Sequence, residues 1–183
     1  MKIKKTNLSG VLLIEPEIFT DHRGFFLESY NKKKYQDFGI CYDFVQDNIS
    51  KSTRGTIRGL HYQVNPNSQG KLCFVLKGSV IDVAVDIRFN SPTFGHYYSI
   101  ELSEEKMNQI WIPPGFAHGF SVLSEEVIFM YKCTNFYSKA DERAILYNDP
   151  DLNIDWKVED PVVSEKDLKA PLFRNIAPDF VFH

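Results

Sequence analysis

Three things are scarce in this chain: charge of one sign, cysteine, and long apolar runs. Its 21 basic side chains stand against 24 acidic ones, a formal net charge of -3. No broad positive field is therefore available to hold a nucleic-acid backbone or an acidic membrane, and any phosphate must be met locally. Cys41, Cys73 and Cys133 lie far apart and form no C-x-x-C pair. Neither a disulfide framework nor a zinc knuckle is indicated, and a reducing compartment is the simpler expectation. The opening MKIKKTNLSGVLLIEPE carries basic residues, but the apolar run 11–14 is too short for the apolar stretch of a signal peptide and ends at Glu15. No run elsewhere reaches membrane-spanning length. These absences predict a cytoplasmic protein without nucleic-acid or membrane partners.

What is present is apolar and pleat-forming. A chain of 183 residues that is 43% hydrophobic can bury a full core within one domain, taken as residues 1–183. No repeat, low-complexity tract or Gly/Ser linker divides it, and the polar stretch 138–143 reads as a surface loop. The apolar supply is rich in aromatics and β-branched residues, as in CFVLKGSVIDVAVDI and YYSIEL. Strand-like runs recur at 11–15, 24–30, 44–49, 57–64, 72–76, 80–87, 96–102, 109–112, 120–122 and 127–132. Turn signals such as Asp21-His22-Arg23-Gly24, Asn65-Pro66-Asn67 and Lys77-Gly78-Ser79 separate them. Many short strands without long helices predict an all-β, mainly antiparallel sandwich or barrel. Residues 31–38 predict one short helix, and Ser164 can cap a second, with Glu165 and Asp167 in its positive first turn. Both are expected to be peripheral.

Alternation gives each strand two faces. In 80–87 it sets Val80, Asp82, Ala84 and Asp86 against Ile81, Val83, Val85 and Ile87, so the carboxylate face is expected to be wet or to line a polar cavity, with both acids structural or supporting a pocket residue from behind. In Arg58-Gly59-Leu60-His61-Tyr62-Gln63 it places Arg58, Leu60 and Tyr62 on one side and His61 and Gln63 on the other. Gly59 allows a close backbone approach. Pro113-Pro114-Gly115-Phe116-Ala117-His118 carries the order P-x-G-x-x-H and resembles the second cupin motif. Where a metal-binding cupin writes H-x-H, this chain has His61 and Gln63, and no acid follows within 64–71. Two histidines fall short of the three or four ligands a metal usually needs, so no metal and no cofactor is expected. Lys71 repels a divalent cation but welcomes an oxyanion.

Beyond the cupin pattern, Asp21 to Tyr30, Phe44 to Asn48, Arg58 to Gln63, Gln69-Gly70-Lys71-Leu72, Asp82 to Arg88, Ser91 to Gly95, Gly115 to Phe120 and Tyr131-Lys132 together resemble the dTDP-4-dehydrorhamnose 3,5-epimerases, in order and over nearly the whole chain. The resemblance implies a cupin, or jelly-roll, barrel with a few short peripheral helices. It also implies epimerisation at C3 and C5 of dTDP-4-dehydro-6-deoxy-D-glucose to dTDP-4-dehydro-L-rhamnose, for surface polysaccharide synthesis. The C4 ketone acidifies both neighbouring carbons, and the enzyme supplies a base, an oxyanion partner and an acid on the opposite face. By match to the family, His61 is the base, Asp167 its carboxylate partner, Lys71 the enolate stabiliser and Tyr131 the acid. Tyr131 also shares an inward strand face with Phe129 and Val127. His118 lines the same pocket. Arg23, Glu28, Gln46, Asn48 and Arg58 contact the nucleotide, Phe19 and Phe26 stack on or flank its base, and Glu142 and Lys166 are looser matches. A homodimer is implied, which would also protect exposed strand edges. The tail after Pro171 matches nothing and either packs on the barrel or frays.

Taken singly, each residue has a plainer reading. His61 would be a hydrogen-bonded strand histidine, His118 a turn residue, Tyr131 core filler, Lys71 a solvated turn lysine and Asp167 a first-turn helix acid. Arg23 and Arg58 would be ion-pair partners, and Glu28 and Glu142 solvated acids. Only the ordered series of motifs promotes them. Three other functions compete: an epimerase that inverts C3 or C5 alone, a metal-dependent cupin oxygenase or isomerase, and a non-catalytic nucleotide-sugar binding module.

Overall fold

Strands form where β-branched and aromatic residues cluster, and turn residues divide them as expected. In the computed structural model, which describes residues 1–182, two short strands, β1 (Lys2–Lys5) and β2 (Leu12–Glu15), are followed by a hairpin, β3 (Ile18–Asp21) and β4 (Gly24–Leu27), and helix α1 (Lys32–Gln36). The body follows as β5 (Gln46–Thr53), β6 (Thr56–Gln63), β7 (Lys71–Lys77), β8 (Ser79–Asp86), β9 (Tyr97–Ser103), β10 (Gln109–Ile112), β11 (Phe116–Val122) and β12 (Glu126–Cys133). Two small strands, β13 (Glu142–Ala144) and β14 (Val162–Val163), then lead to helix α2 (Glu165–Leu168) and a 3-10 turn, Phe173–Asn175.

Two sheets result. One runs β1-β2-β10-β7-β12-β5 and the other β13-β6-β11-β8-β9, with β14 parallel to β6. Every other strand pair is antiparallel. From β5 to β8 the chain alternates between the sheets, which closes them around one interior.

Why β7 and β8 read as almost continuous apolar runs becomes clear from their two covered faces. The interior cluster takes Cys73 and Val75 from β7, Val80 and Ala84 from β8, Phe120 from β11 and Phe129 from β12. On the outer face of the second sheet, Val83, Val85, Leu60 and Ala117 meet Ile145, Leu152 and Trp156, with Phe173, Ile176 and Phe180 packed against them. On the outer face of the first sheet, Ile14, Leu72 and Trp111 meet Tyr35 and Ile40 from the α1 region. Each large apolar side chain buried in these layers contributes about 1.5–3 kcal/mol relative to exposure. Asn31 caps α1 by accepting from the Lys34 N–H, and the buried Tyr35 hydroxyl sits 2.5 Å from Gln109 Oε1.

The structure decides between open alternatives and corrects one bound. The tail packs rather than frays: Phe89 N–H donates to Phe180 O and Phe182 N–H to Phe89 O, both at 2.8 Å; His183 lies outside the described residues. The stretch 138–143 is a loop only as far as 141, since Glu142 begins β13 and pairs with Gln63. The carboxylate face of β8 is not wet, because it points into the closed interior and both Asp82 and Asp86 are fully buried. Asp86 is satisfied there by Arg88, Ser91 and Thr93. Burial raises its carboxyl pKa, but these hydrogen bonds outweigh that and hold it below the usual carboxylate value.

Candidate active site

The site begins with an interruption in β6. His118 of β11 pairs with His61, yet Phe120 pairs with Arg58, so three steps along β6 match two along β11. One extra residue in β6 reverses the alternation beyond it. Arg58 and His61, expected on opposite faces, consequently border the same cavity. Gly59 makes this possible: its φ is +132°, and a Cβ there would sit 2.5 Å from Gly119 Cα. The close approach expected at Gly59 is thus the backbone of β11.

A cavity of about 400 Å³, within the ordinary range for small-ligand sites, opens over this interruption. His61, Lys71, Tyr131, Asp167, Arg58, His118 and Lys166 all line it. His61 Nε2 lies 2.7 Å from Asp167 Oδ1. Helix α2 holds the carboxylate in place, for Ser164 Oγ accepts from the Asp167 N–H at 3.1 Å. Burial acts to raise the Asp167 pKa, but the His61 hydrogen bond and charge, with smaller help from the Gly59 N–H and Ser164, bring it below the ordinary value. An anionic Asp167 places the imidazole proton on Nε2, which leaves Nδ1 as the basic nitrogen.

Lys71, at the start of β7, extends its ammonium to 3.5 Å from the His61 carbonyl oxygen and 5.9 Å from the centroid of the Tyr131 ring. A base, a cation and a phenol therefore surround one space. Tyr131 follows Val127 and Phe129 along the inward face of β12, as its spacing predicted. Burial pushes its phenol up to about 12, so it is a proton donor at neutral pH.

His118 is almost wholly buried at the cavity floor, with Nε2 2.9 Å from Asp82 Oδ2 and 3.8 Å from Cys73 Sγ. Burial lowers its pKa against the pull of the Asp82 carboxylate. Sequence reasoning took Asp82 as structural or as support for a pocket residue, and the contact with His118 is of the second kind, though the partner was not foreseen. Its signal was the inward parity that Asp82 shares with Val80 and Ala84 on β8. The reading also missed Val162 and Val163, which form the cavity rim as a two-residue strand too short to leave a pattern.

The proposed nucleotide contacts divide. Arg58 donates through Nε to Ser52 Oγ at 3.0 Å. Lys166 pairs with Glu142 at 2.6 Å, and Glu142 also accepts from the Tyr137 hydroxyl at 3.1 Å. Gln46 and Asn48 share the face of β5 that carries Ser50, a cavity residue, and Gln46 donates to Asn48 Oδ1 at 2.9 Å. Arg23, Phe26 and Glu28 do not reach the cavity within one chain. Their hairpin, β3 with β4, pairs with neither large sheet. Arg23 is bound to Asp21, Glu28 to Asn31 and Lys34, and Phe26 is 69% exposed.

Comparison with known proteins adds to this geometry. The family described as dTDP-4-dehydrorhamnose 3,5-epimerase matches residues 5–175. The dTDP-4-dehydrorhamnose 3,5-epimerase of Shigella flexneri is 53% identical over 94% of this chain and 96% of its own length. The Legionella pneumophila dTDP-6-deoxy-D-glucose-3,5-epimerase, solved in complex with dTDP-4-keto-L-rhamnose, superposes with a TM-score of 0.96 at 48% identity, covering 100% of this chain and 98% of that one. ChmJ, a 3'-monoepimerase from Streptomyces bikiniensis solved with dTDP-quinovose, is more distant, with a TM-score of 0.86 at 33% identity over 92% of this chain and 86% of its own. With the cupin architecture matched end to end and the family's pattern running through both sheets, this chain belongs to the dTDP-4-dehydrorhamnose 3,5-epimerase family.

Proposed function

We propose that this chain epimerises dTDP-4-dehydro-6-deoxy-D-glucose at C3 and C5 to dTDP-4-dehydro-L-rhamnose in dTDP-rhamnose biosynthesis, with His61, Asp167, Lys71 and Tyr131 as its catalytic groups. One observation carries the residue assignment: the His61–Asp167 pair, the Lys71 ammonium and the buried Tyr131 phenol border a single cavity. The reaction itself is that of the Shigella relative.

Neutral His61 takes the proton from a carbon beside the C4 ketone, and Asp167 stabilises the imidazolium that forms. The electron pair moves into the ketone, and the resulting enolate oxygen is met by the Lys71 ammonium. That charge is worth more in a cavity shielded from water than in bulk solvent. Tyr131 then gives its proton to the same carbon from the opposite face, so the centre inverts. Imidazolium and phenolate are reset by proton exchange with solvent before the second carbon reacts.

The Arg58 guanidinium and Lys166 ammonium at the cavity edge suit a diphosphate, with Gln46, Asn48 and Glu142 beyond them for the nucleoside. Arg23, Phe26 and Glu28 match the family's nucleotide contacts yet stand on a hairpin outside the cavity. A homodimer resolves this conflict: the hairpin of one chain serves the cavity of the other. Phe19, Phe25 and Phe26, each more than half exposed, supply the apolar surface for that contact.

The likeness to ChmJ keeps inversion of one carbon alone as the competing reading. Incubating the purified chain with the 4-keto-6-deoxy substrate in deuterated water, followed by NMR, separates the two. Deuterium at both C3 and C5, lost in His61→Ala, is expected. Label at one carbon only establishes the monoepimerase, and undiminished exchange in His61→Ala refutes the assigned base.

A further inference from the structure

Behind the catalytic groups lies a cluster that epimerisation does not use in full. Cys73 of β7, Asp82 of β8 and His118 of β11 converge in the barrel interior, with one ligand-capable atom of each within 4.8 Å of the others. We propose that this trio is a site for a zinc-class divalent cation, bound by the Cys73 thiolate, one Asp82 oxygen and His118 Nε2, with the fourth position open toward the cavity.

The spacing suits the chemistry. Zinc bonds of about 2.0–2.3 Å in a tetrahedron separate ligand atoms by roughly 3.3–3.6 Å. The Cys73 Sγ to His118 Nε2 distance is 3.8 Å and the His118 Nε2 to Asp82 Oδ2 distance 2.9 Å. The third separation, Cys73 Sγ to Asp82, is within 4.8 Å, so side-chain shifts of up to about an ångström would seat an ion. A second observation points the same way: Asp82 is fully buried, and its Oδ1 has no hydrogen-bond partner. A buried carboxylate oxygen without a donor is costly, and a cation is one way to satisfy it.

Charge does not forbid the ion, although Lys71 stands near. Thiolate and carboxylate together cancel the two positive charges of the metal, so with the thiol proton lost the net charge of the group, Lys71 included, rises by one rather than by two. Binding expels one proton, from the Cys73 thiol, while the proton of His118 moves to Nδ1 so that Nε2 can coordinate. Thiolate and imidazole favour zinc or cobalt over magnesium or calcium. His118 lines the cavity, so a metal that claims its ring blocks the floor and inhibits the enzyme. Cys73 has no part in the proton transfers.

The test uses the whole chain stripped of metal by a chelator. Titration with Co²⁺ is expected to give one equivalent per chain with a thiolate-to-metal charge-transfer band, and Zn²⁺ should displace it. Cys73→Val, an apolar replacement within the interior cluster, should lose that band, weaken Zn²⁺ by roughly a hundredfold or more, and keep the metal-free exchange activity. Asp82→Asn should weaken Zn²⁺ by at least about tenfold. Zinc should also raise the melting temperature of the parent chain but not of Cys73→Val. Cys41 is exposed and free, so unchanged affinity in Cys73→Val would mean that the metal sits there or elsewhere on the surface and would overturn the proposal. Absence of a thiolate band, or full activity with one equivalent bound, would overturn it equally. The spectroscopic and affinity readouts stand whether or not the chain is an epimerase.

Discussion

Inversion differs from simple exchange at one residue. As the proposed base, His61 alone can remove and return a proton on the same face, which exchanges label without changing configuration; a donor on the other wall is needed to invert. Tyr131 is placed for that step, since it points inward beside Phe129 and its pKa, pushed up to about 12 by burial, keeps the proton on the oxygen until a strongly basic carbon claims it. Tyr131→Phe keeps the ring and its packing but removes the proton. Inversion should fall by roughly 10²-fold or more, the usual scale of a positioned acid, while deuterium still enters at the carbon that His61 attacks. Comparing label with configuration in one NMR time course checks this, and a phenylalanine variant that inverts at the parent rate would return Tyr131 to the role of core filler.

At the scale of elements, the site depends on the extra residue in β6. Without it, strand parity would turn Arg58 away from the cavity that holds His61. Gly59 permits this arrangement through its φ of +132° and its contact with Gly119, where a Cβ would stand 2.5 Å from backbone. Gly59→Ala must both adopt that φ and push β11 away. Together these cost about 2–5 kcal/mol, a loss to be read from the denaturant midpoint, with epimerase activity falling in the material that still folds. An alanine variant as stable as the parent would show that β6 and β11 can part freely. This element also marks the limit of sequence reasoning. Period-two alternation placed Tyr131, Phe129 and Val127 correctly because β12 follows one parity around them, and Ser164 was legible as a cap because capping is local. Alternation failed at Gly59, since the extra residue exists only against its partner strand. It left the face of Asp82 open between solvent and a polar cavity, because alternating carboxylates look the same either way until a second sheet closes over them. Two-residue β14 and the lysine-rich β1 left no pattern to read, and the catalytic roles proposed for Lys71 and Asp167 came from the family resemblance rather than from periodicity.

For the molecule as a whole, the proposed dimer answers a tension between a cavity in the barrel and proposed nucleotide contacts on a hairpin that one chain leaves outside it. Three phenylalanines on that hairpin are each more than half exposed, a cost that a solitary chain has no reason to bear and that an interface would remove. If two chains exchange hairpins across a two-fold axis, each site takes its barrel from one chain and its Arg23 and Phe26 from the other. Damage to the two halves then becomes separable. On the proposed roles, a chain carrying His61→Ala lacks the base but keeps an intact hairpin, whereas one carrying Arg23→Ala with Phe26→Ala keeps an intact barrel but grips the nucleotide poorly. Each should be nearly inactive alone. Mixed in equal amounts and allowed to exchange subunits, half of the dimers are hybrids, and each hybrid has one site built from two sound halves and one from two damaged halves. Activity should rise to roughly a quarter of the parent value, and sedimentation should show dimers throughout. If the hairpin instead folds over its own barrel, no pairing brings a sound barrel and a sound hairpin together, and the mixture stays as inactive as its components.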